Sequence, residues 1–106
     1  MRQLGPLELR NYLAQTDQPP LLLDVREPWE FDTCHIAGSH LLPMGQITQE
    51  IDQLDPQREI VVICHHGIRS RHVAYYLEQN GFTNVINLEG GVERWAVEID
   101  PGMKRY

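Results

Sequence analysis

Cysteine is scarce in this sequence: its 106 residues include two, Cys34 and Cys64. There is no apolar run near the ~18 residues of a membrane span and no charged-then-apolar leader at the N-terminus. That pattern points to a soluble chain in a reducing, cytoplasmic setting with no membrane partner. Basic stripes with interleaved aromatics are also missing, and the formal net charge is −6, which argues against nucleic acid as a partner. No internal repeat, low-complexity tract or linker interrupts the chain. A chain of this size buries roughly 60 to 65% of its unfolded surface, so a single domain over residues 1–106 is expected to fold without disulfide or metal. Its core is expected over 3–99, with 100–106 as a C-terminal tail that is either an irregular strap or a frayed end.

What is present is an alternation of helical and extended patterns. Gly5-Pro6 opens a helix with Leu9, Tyr12 and Leu13 on one face, ending near Thr16 before Pro19-Pro20. Leu21 to Val25 is apolar except for Asp24 and reads as a strand covered on both sides. Pro28 starts a short helix holding Trp29 and Phe31, Ser39 to Pro43 reads as a short strand, and Ile47, Ile51 and Leu54 predict a helix over Gln46 to Leu54. Glu59 to Ile63 is a strand, Arg71 to Asn80 a helix stopped by Asn80-Gly81, and Val85 to Leu88 the last strand. After Gly90-Gly91, Val92, Trp95, Ala96 and Ile99 mark one face of a final helix. Both tryptophans are expected in packing positions rather than as ligand platforms. Strands alternating with helices imply a mainly parallel α/β sheet covered on both faces, where ligands bind beyond the carboxyl ends of the strands.

The segment Cys64-His65-His66-Gly67-Ile68-Arg69-Ser70 sits at such an end. An ordinary cysteine, with a pKa of about 8.5, is only about 3% ionised at pH 7, and the thiolate is the nucleophile. A loop at a helix N-terminus supplies what favours a thiolate or a bound anion: unpaired N–H groups and the positive end of the helix dipole. Gly67 lets the backbone turn inward, and Ser70 is expected to N-cap the following helix. From Cys64 to His72 there are Arg69, Arg71 and three histidines but no acidic residue. Such a patch on an acidic chain suits a small anionic substrate.

The strand-loop-helix bearing Cys-x-x-Gly-x-Arg-Ser resembles the active-site loop of rhodanese-family sulfurtransferases. Further blocks resemble the family in order: Leu23-Asp24-Val25-Arg26 with Glu30-Phe31, His35-Ile36-Ala37-Gly38-Ser39, Leu42-Pro43, and Leu88-Glu89-Gly90-Gly91 with Trp95. The resemblance implies a rhodanese-like fold, a five-stranded, mainly parallel sheet with helices on both faces. It also implies a ping-pong reaction in which Cys64 takes sulfane sulfur from thiosulfate or a persulfide and hands it to cyanide, a thiol or a protein. The only prosthetic species would be the transient cysteine persulfide, with no cofactor. Cys64 would be the nucleophile, and His65, His66, Gly67, Ile68, Arg69 and Ser70 would line the substrate site. Arg69 would either bind the donor or brace the loop, and Arg26 and Glu30 would lie at the pocket rim. Arg26 has the alternative of a salt bridge with Asp24, and an acidic Glu30 would repel thiosulfate while suiting a thiol or cationic acceptor.

Two other readings stand beside this one. Cysteine phosphatases and arsenate reductases use a related loop, but theirs holds five residues between cysteine and arginine where this one has four, His65 to Ile68. A carrier or binding module in a sulfur relay would keep the same residues. Cys34 stands where the family usually has glycine, and this departure raises the prospects of a strained turn or of a resolving thiol, set against a spectator cysteine. His35, His40 and the His65-His66 pair lack metal-ligand spacing, and Gly90-Gly91 lacks the lysine of a nucleotide cradle, so no metal or nucleotide is expected.

Overall fold

The structure is a computed structural model that describes residues 1–106. Its elements follow in chain order: β1 (Arg2–Leu4), α1 (Pro6–Gln15), β2 (Leu21–Asp24), α2 (Pro28–Thr33), β3 (His40–Leu41), α3 (Ile47–Glu50), β4 (Ile60–Ile63), α4 (Ile68–Gln79), β5 (Val85–Leu88) and α5 (Gly91–Glu98). The five strands form one sheet in the order β1-β5-β4-β2-β3, and every neighbouring pair is parallel.

Side-chain alternation divides the core between the two faces of that sheet. Ile60, Val62 and Cys64 face one way, with Leu23, Val25 and Val85, and meet Ile47 of α3 and Val73, Ala74 and Leu77 of α4. Val61 and Ile63 face the other way, with Leu22, Ile86 and Leu88, and meet Leu9 of α1 and Val92 and Trp95 of α5. Buried on both sides, β4 is the centre of the sheet and a rigid base for whatever follows it.

Three elements differ from the pattern read in the sequence. β1 carries no apolar signature: Arg2 and Gln3 are exposed, and the strand exists because Arg2, Gln3 and Leu4 pair with Ile86, Asn87 and Leu88 of β5. The expected helix over Gln46 to Leu54 is broken into single turns, with a 3₁₀ turn at Met44–Gln46, α3, and a second 3₁₀ turn at Ile51–Gln53. Only Ile47 there is fully buried, so little packing pulls the segment into one regular helix, and short helices are marginal without it. α4 begins three residues before the expected Arg71. Trp29 is 61% exposed, against 8% for Trp95, so only the second tryptophan is a packing residue of the core.

Candidate active site

Cys64 follows β4 directly and is 1% exposed. Its Sγ accepts the Gly67 N–H at 3.0 Å, and its thiol points at Ser70 Oγ at 3.3 Å. Gly67, and not Ser70, caps α4: Gly67 has φ +95°, and the helix starts at Ile68. Ser70 therefore lies inside the first turn, completely buried, and its hydroxyl donates to Asn87 Oδ1. Asn87 in turn donates through Nδ2 to the Gly67 carbonyl at 3.3 Å and to Gln3 Oε1 at 3.0 Å. One β5 side chain thus holds both the serine that the thiol points at and the carbonyl of Gly67, the residue whose N–H meets the sulfur. Asn87 was missed in the sequence, yet its signal is visible there as the single polar residue in the strand Val85-Ile86-Asn87-Leu88.

The loop's shape is set by α5. The N–H groups of Val92 and Glu93 donate to the carbonyls of Cys64 and His65 at 2.9 and 3.1 Å. A trans peptide points its C=O and N–H in opposite directions, so the amides of His65 and His66 are turned away from α5. This contact tolerates no side chain at Gly91, where φ is +60° and a Cβ would lie 2.3 Å from the Cys64 carbonyl oxygen. A Cβ on Gly67 would likewise come within 2.9 Å of Gly90 N. The Gly90-Gly91 turn is thus the seat of the Cys64 loop.

Arg69 makes a two-pronged ion pair with Glu30 of α2, Nη1 to Oε1 at 2.7 Å and Nη2 to Oε2 at 2.9 Å. Glu30 Oε1 also accepts the Glu27 N–H at 3.0 Å and Oε2 the Tyr106 hydroxyl at 2.8 Å, which fills the carboxylate's acceptor positions. With the Arg69 pair as the largest cause, the Glu30 carboxyl is held at about 2. Glu30 itself is 4% exposed.

Arg26, expected at the rim, is fully buried behind it. Its Nε and Nη2 hold Asp24 at 2.7–3.1 Å, Nη2 reaches the Cys34 carbonyl at 2.7 Å, and Nη1 donates to the Tyr106 hydroxyl at 2.7 Å. Burial opposes its charge, but these partners outweigh that and hold the guanidinium ionised. A buried arginine survives only when paired and hydrogen-bonded, and this one serves as a post on which the α2 turn and the tail are fixed.

Tyr106 therefore belongs to the site's surroundings rather than to a loose end. Its ring stacks on His65 at 4.0 Å and meets Trp29 edge-on at 5.4 Å, and His65 stacks on His66 at 3.9 Å. Burial, then the neighbouring His66, push the His65 pKa down and favour its neutral form. The patch of one sign expected from residues 64–72 is therefore balanced in space, because the fold delivers Glu30 from a distant segment to Arg69. No group of three or more acidic, cysteine or histidine side chains is arranged to hold a metal ion.

Cys34 has φ −165°, ordinary extended backbone, so the strained turn that its non-glycine side chain would suffer at a positive φ does not arise. It packs at the margin of the α1/α5 core, whereas Cys64 belongs to the core on the α3/α4 face.

A family model for the rhodanese-like domain matches residues 6–98. The chain is 34% identical over 105 residues to the "Probable adenylyltransferase/sulfurtransferase MoeZ" of Mycobacterium tuberculosis, covering 97% of this chain and 26% of that protein. It is 38% identical over 82 residues to the "Thiosulfate sulfurtransferase GlpE" of Pseudomonas syringae, covering 77% of each. Among solved structures, a rhodanese-like domain protein from Staphylococcus aureus superposes with a TM-score of 0.82 at 32% identity, over 90% of this chain and 91% of that one.

Proposed function

Since the chain belongs to the rhodanese-like domain family, we propose that it is a sulfurtransferase in which Cys64 carries sulfane sulfur as a persulfide between a donor and a thiophilic acceptor. The observation that supports this best is Cys64 at the carboxyl end of β4 with the Gly67 N–H 3.0 Å from its sulfur. A thiolate there attacks the outer sulfur of thiosulfate or of a persulfide. The new S–S bond forms as the old one breaks, releasing sulfite or a thiolate, and no external oxidant or reductant is consumed. An acceptor, which would be cyanide, a small thiol or a protein thiol, then attacks the outer sulfur and restores Cys64. Loop amides from His65 to Ser70 would surround the transferred sulfur and spread its negative charge, as oxyanion-type donors do. Arg69, tied to Glu30, braces the loop against α2 in this reading. No resident cofactor enters the scheme.

The test is intact mass after treating the reduced protein with thiosulfate and, separately, with an alkyl persulfide. One added sulfur atom, absent in Cys64→Ser and discharged by cyanide, is the expected result. If neither donor leaves sulfur on the protein, the sulfurtransferase reading fails.

A further inference from the structure

The inference concerns which donor the site admits and rests on the sulfurtransferase reading above. The loop from His65 to Ser70 contains one permanent cation, Arg69, and the fold commits it: both terminal nitrogens lie on Glu30 oxygens at 2.7 and 2.9 Å. Glu30 is not free to swing aside. Its carboxylate also receives the Glu27 N–H and the Tyr106 hydroxyl, and Tyr106 is itself tied to the buried Arg26. Arg26 brings no spare charge, because its guanidinium is spent on Asp24 with both side chains completely buried. Beside the loop, Arg105 pairs with Glu93. Arg71, the next cation along the chain, stands exposed beyond the buried Ser70.

In sequence the pair is flanked by apolar, open side chains: Ile68, which precedes Arg69, and Trp29, which precedes Glu30, are each 61% exposed. We propose that Glu30 is a charge gate: by cancelling Arg69 it makes the Cys64 site favour low-charge persulfides over anionic donors such as thiosulfate. Thiosulfate arrives as a dianion and leaves a dianion, sulfite, so it needs an uncompensated cation at both stages. A persulfide with no other charge needs only the loop amides, since the thiolate it releases carries one charge and takes a proton from water. Glu30 touches neither donor nor Cys64 in this scheme and acts through Arg69. It is a specificity-setting residue.

The experiment uses matched donors, so that intrinsic reactivity cancels: the persulfide of N-acetylcysteine as free acid, the same persulfide as methyl ester, and thiosulfate. Second-order rates of sulfur loading onto Cys64 are read by quenched-flow mass spectrometry in the wild type, Glu30→Gln and Tyr106→Phe. In Glu30→Gln the freed Arg69 is expected to raise the thiosulfate-to-ester rate ratio about tenfold, and the acid-to-ester ratio by less, because local charge sets the capture of charged ligands. Tyr106→Phe, which removes one donor from Glu30, is expected to shift both ratios the same way by a smaller factor. Thermal melts establish that each variant is folded, and Tyr106→Phe carries the test if Glu30→Gln is not. Loading in all proteins with unchanged ratios overturns the gate and leaves the sulfurtransferase reading in place. No loading of the wild type by any donor overturns both.

Discussion

The Ser70 hydroxyl donates a hydrogen bond to Asn87 Oδ1 across 17 residues of sequence, joining the first turn of α4 to the central region of β5 behind the Cys64 sulfur. Both residues are buried, and Asn87 also supports the Gly67 carbonyl. Replacing Asn87 by leucine keeps similar volume but strands the hydroxyl and the carbonyl. Asn87→Leu is expected to lower unfolding free energy by about 1–3 kcal/mol, measured by urea titration, and to slow sulfur loading. A variant as stable as the wild type would show that the Asn87 bonds add nothing.

Gly91 makes a second, sharper prediction. An alanine there combines positive φ with a Cβ 2.3 Å from the Cys64 carbonyl oxygen and 2.4 Å from that of His65. Strain of about 1–3 kcal/mol from the backbone and as much again from overpacking are expected. Soluble yield and melting temperature should fall steeply for Gly91→Ala, whereas Gly45→Ala, where a Cβ meets open space, should leave both near the wild-type values.

The Glu30 pair sets part of the acid limit of stability. The folded carboxyl sits at about 2 against an ordinary 4.5, so below pH 4.5 the unfolded chain binds a proton that the folded chain refuses. The stabilisation is complete above that value and is lost as pH falls through the window down to about 2. His65, with its pKa lowered by burial, acts in the same direction, starting nearer pH 6.5. Chemical denaturation at a series of pH values should show the Glu30→Gln curve flatter than the wild type between pH 4.5 and 2, with the gap between them closing toward pH 2. Parallel curves would remove Glu30 from the acid limit.

Cys34 and Cys64 lie in cores on opposite faces of the sheet. Cys34→Ser is therefore expected to load and discharge sulfur as the wild type does, with no intramolecular disulfide in the oxidised protein. Mass spectrometry of the non-reduced, alkylated protein checks this, and a two-dalton loss that disappears in Cys34→Ser would assign Cys34 a resolving role.

Much of the fold was legible in the order of residues. Where burial demands a local pattern, as in the apolar run Ile60 to Ile63 or the spacing of Val92, Trp95 and Ala96, the element follows from short-range chemistry. The place of Cys64 at a strand end followed with it, as did the need for glycine in the loop. Elements without such a demand were not legible: β1 is polar and exists through its pairing with β5, and the turns around α3 lack the buried anchors that would make them one helix. The start of α4 was misplaced because Ser70 is a good cap by type, whereas the positive φ of Gly67 and the pull of Asn87 draw Ser70 inside.

What the sequence determined alone, then, is the place of Cys64 at the end of an apolar strand and the alternation of elements that puts it there, since both depend on neighbours a few residues apart. The charge of the site was decided only in three dimensions. Residues 64–72 read as cationic along the chain, but Arg69 and Glu30 are 39 residues apart and Tyr106 and Glu30 are 76 apart. Electrostatic and hydrogen-bond energies depend on distance in space, and folding brings these groups to within 3 Å of one another.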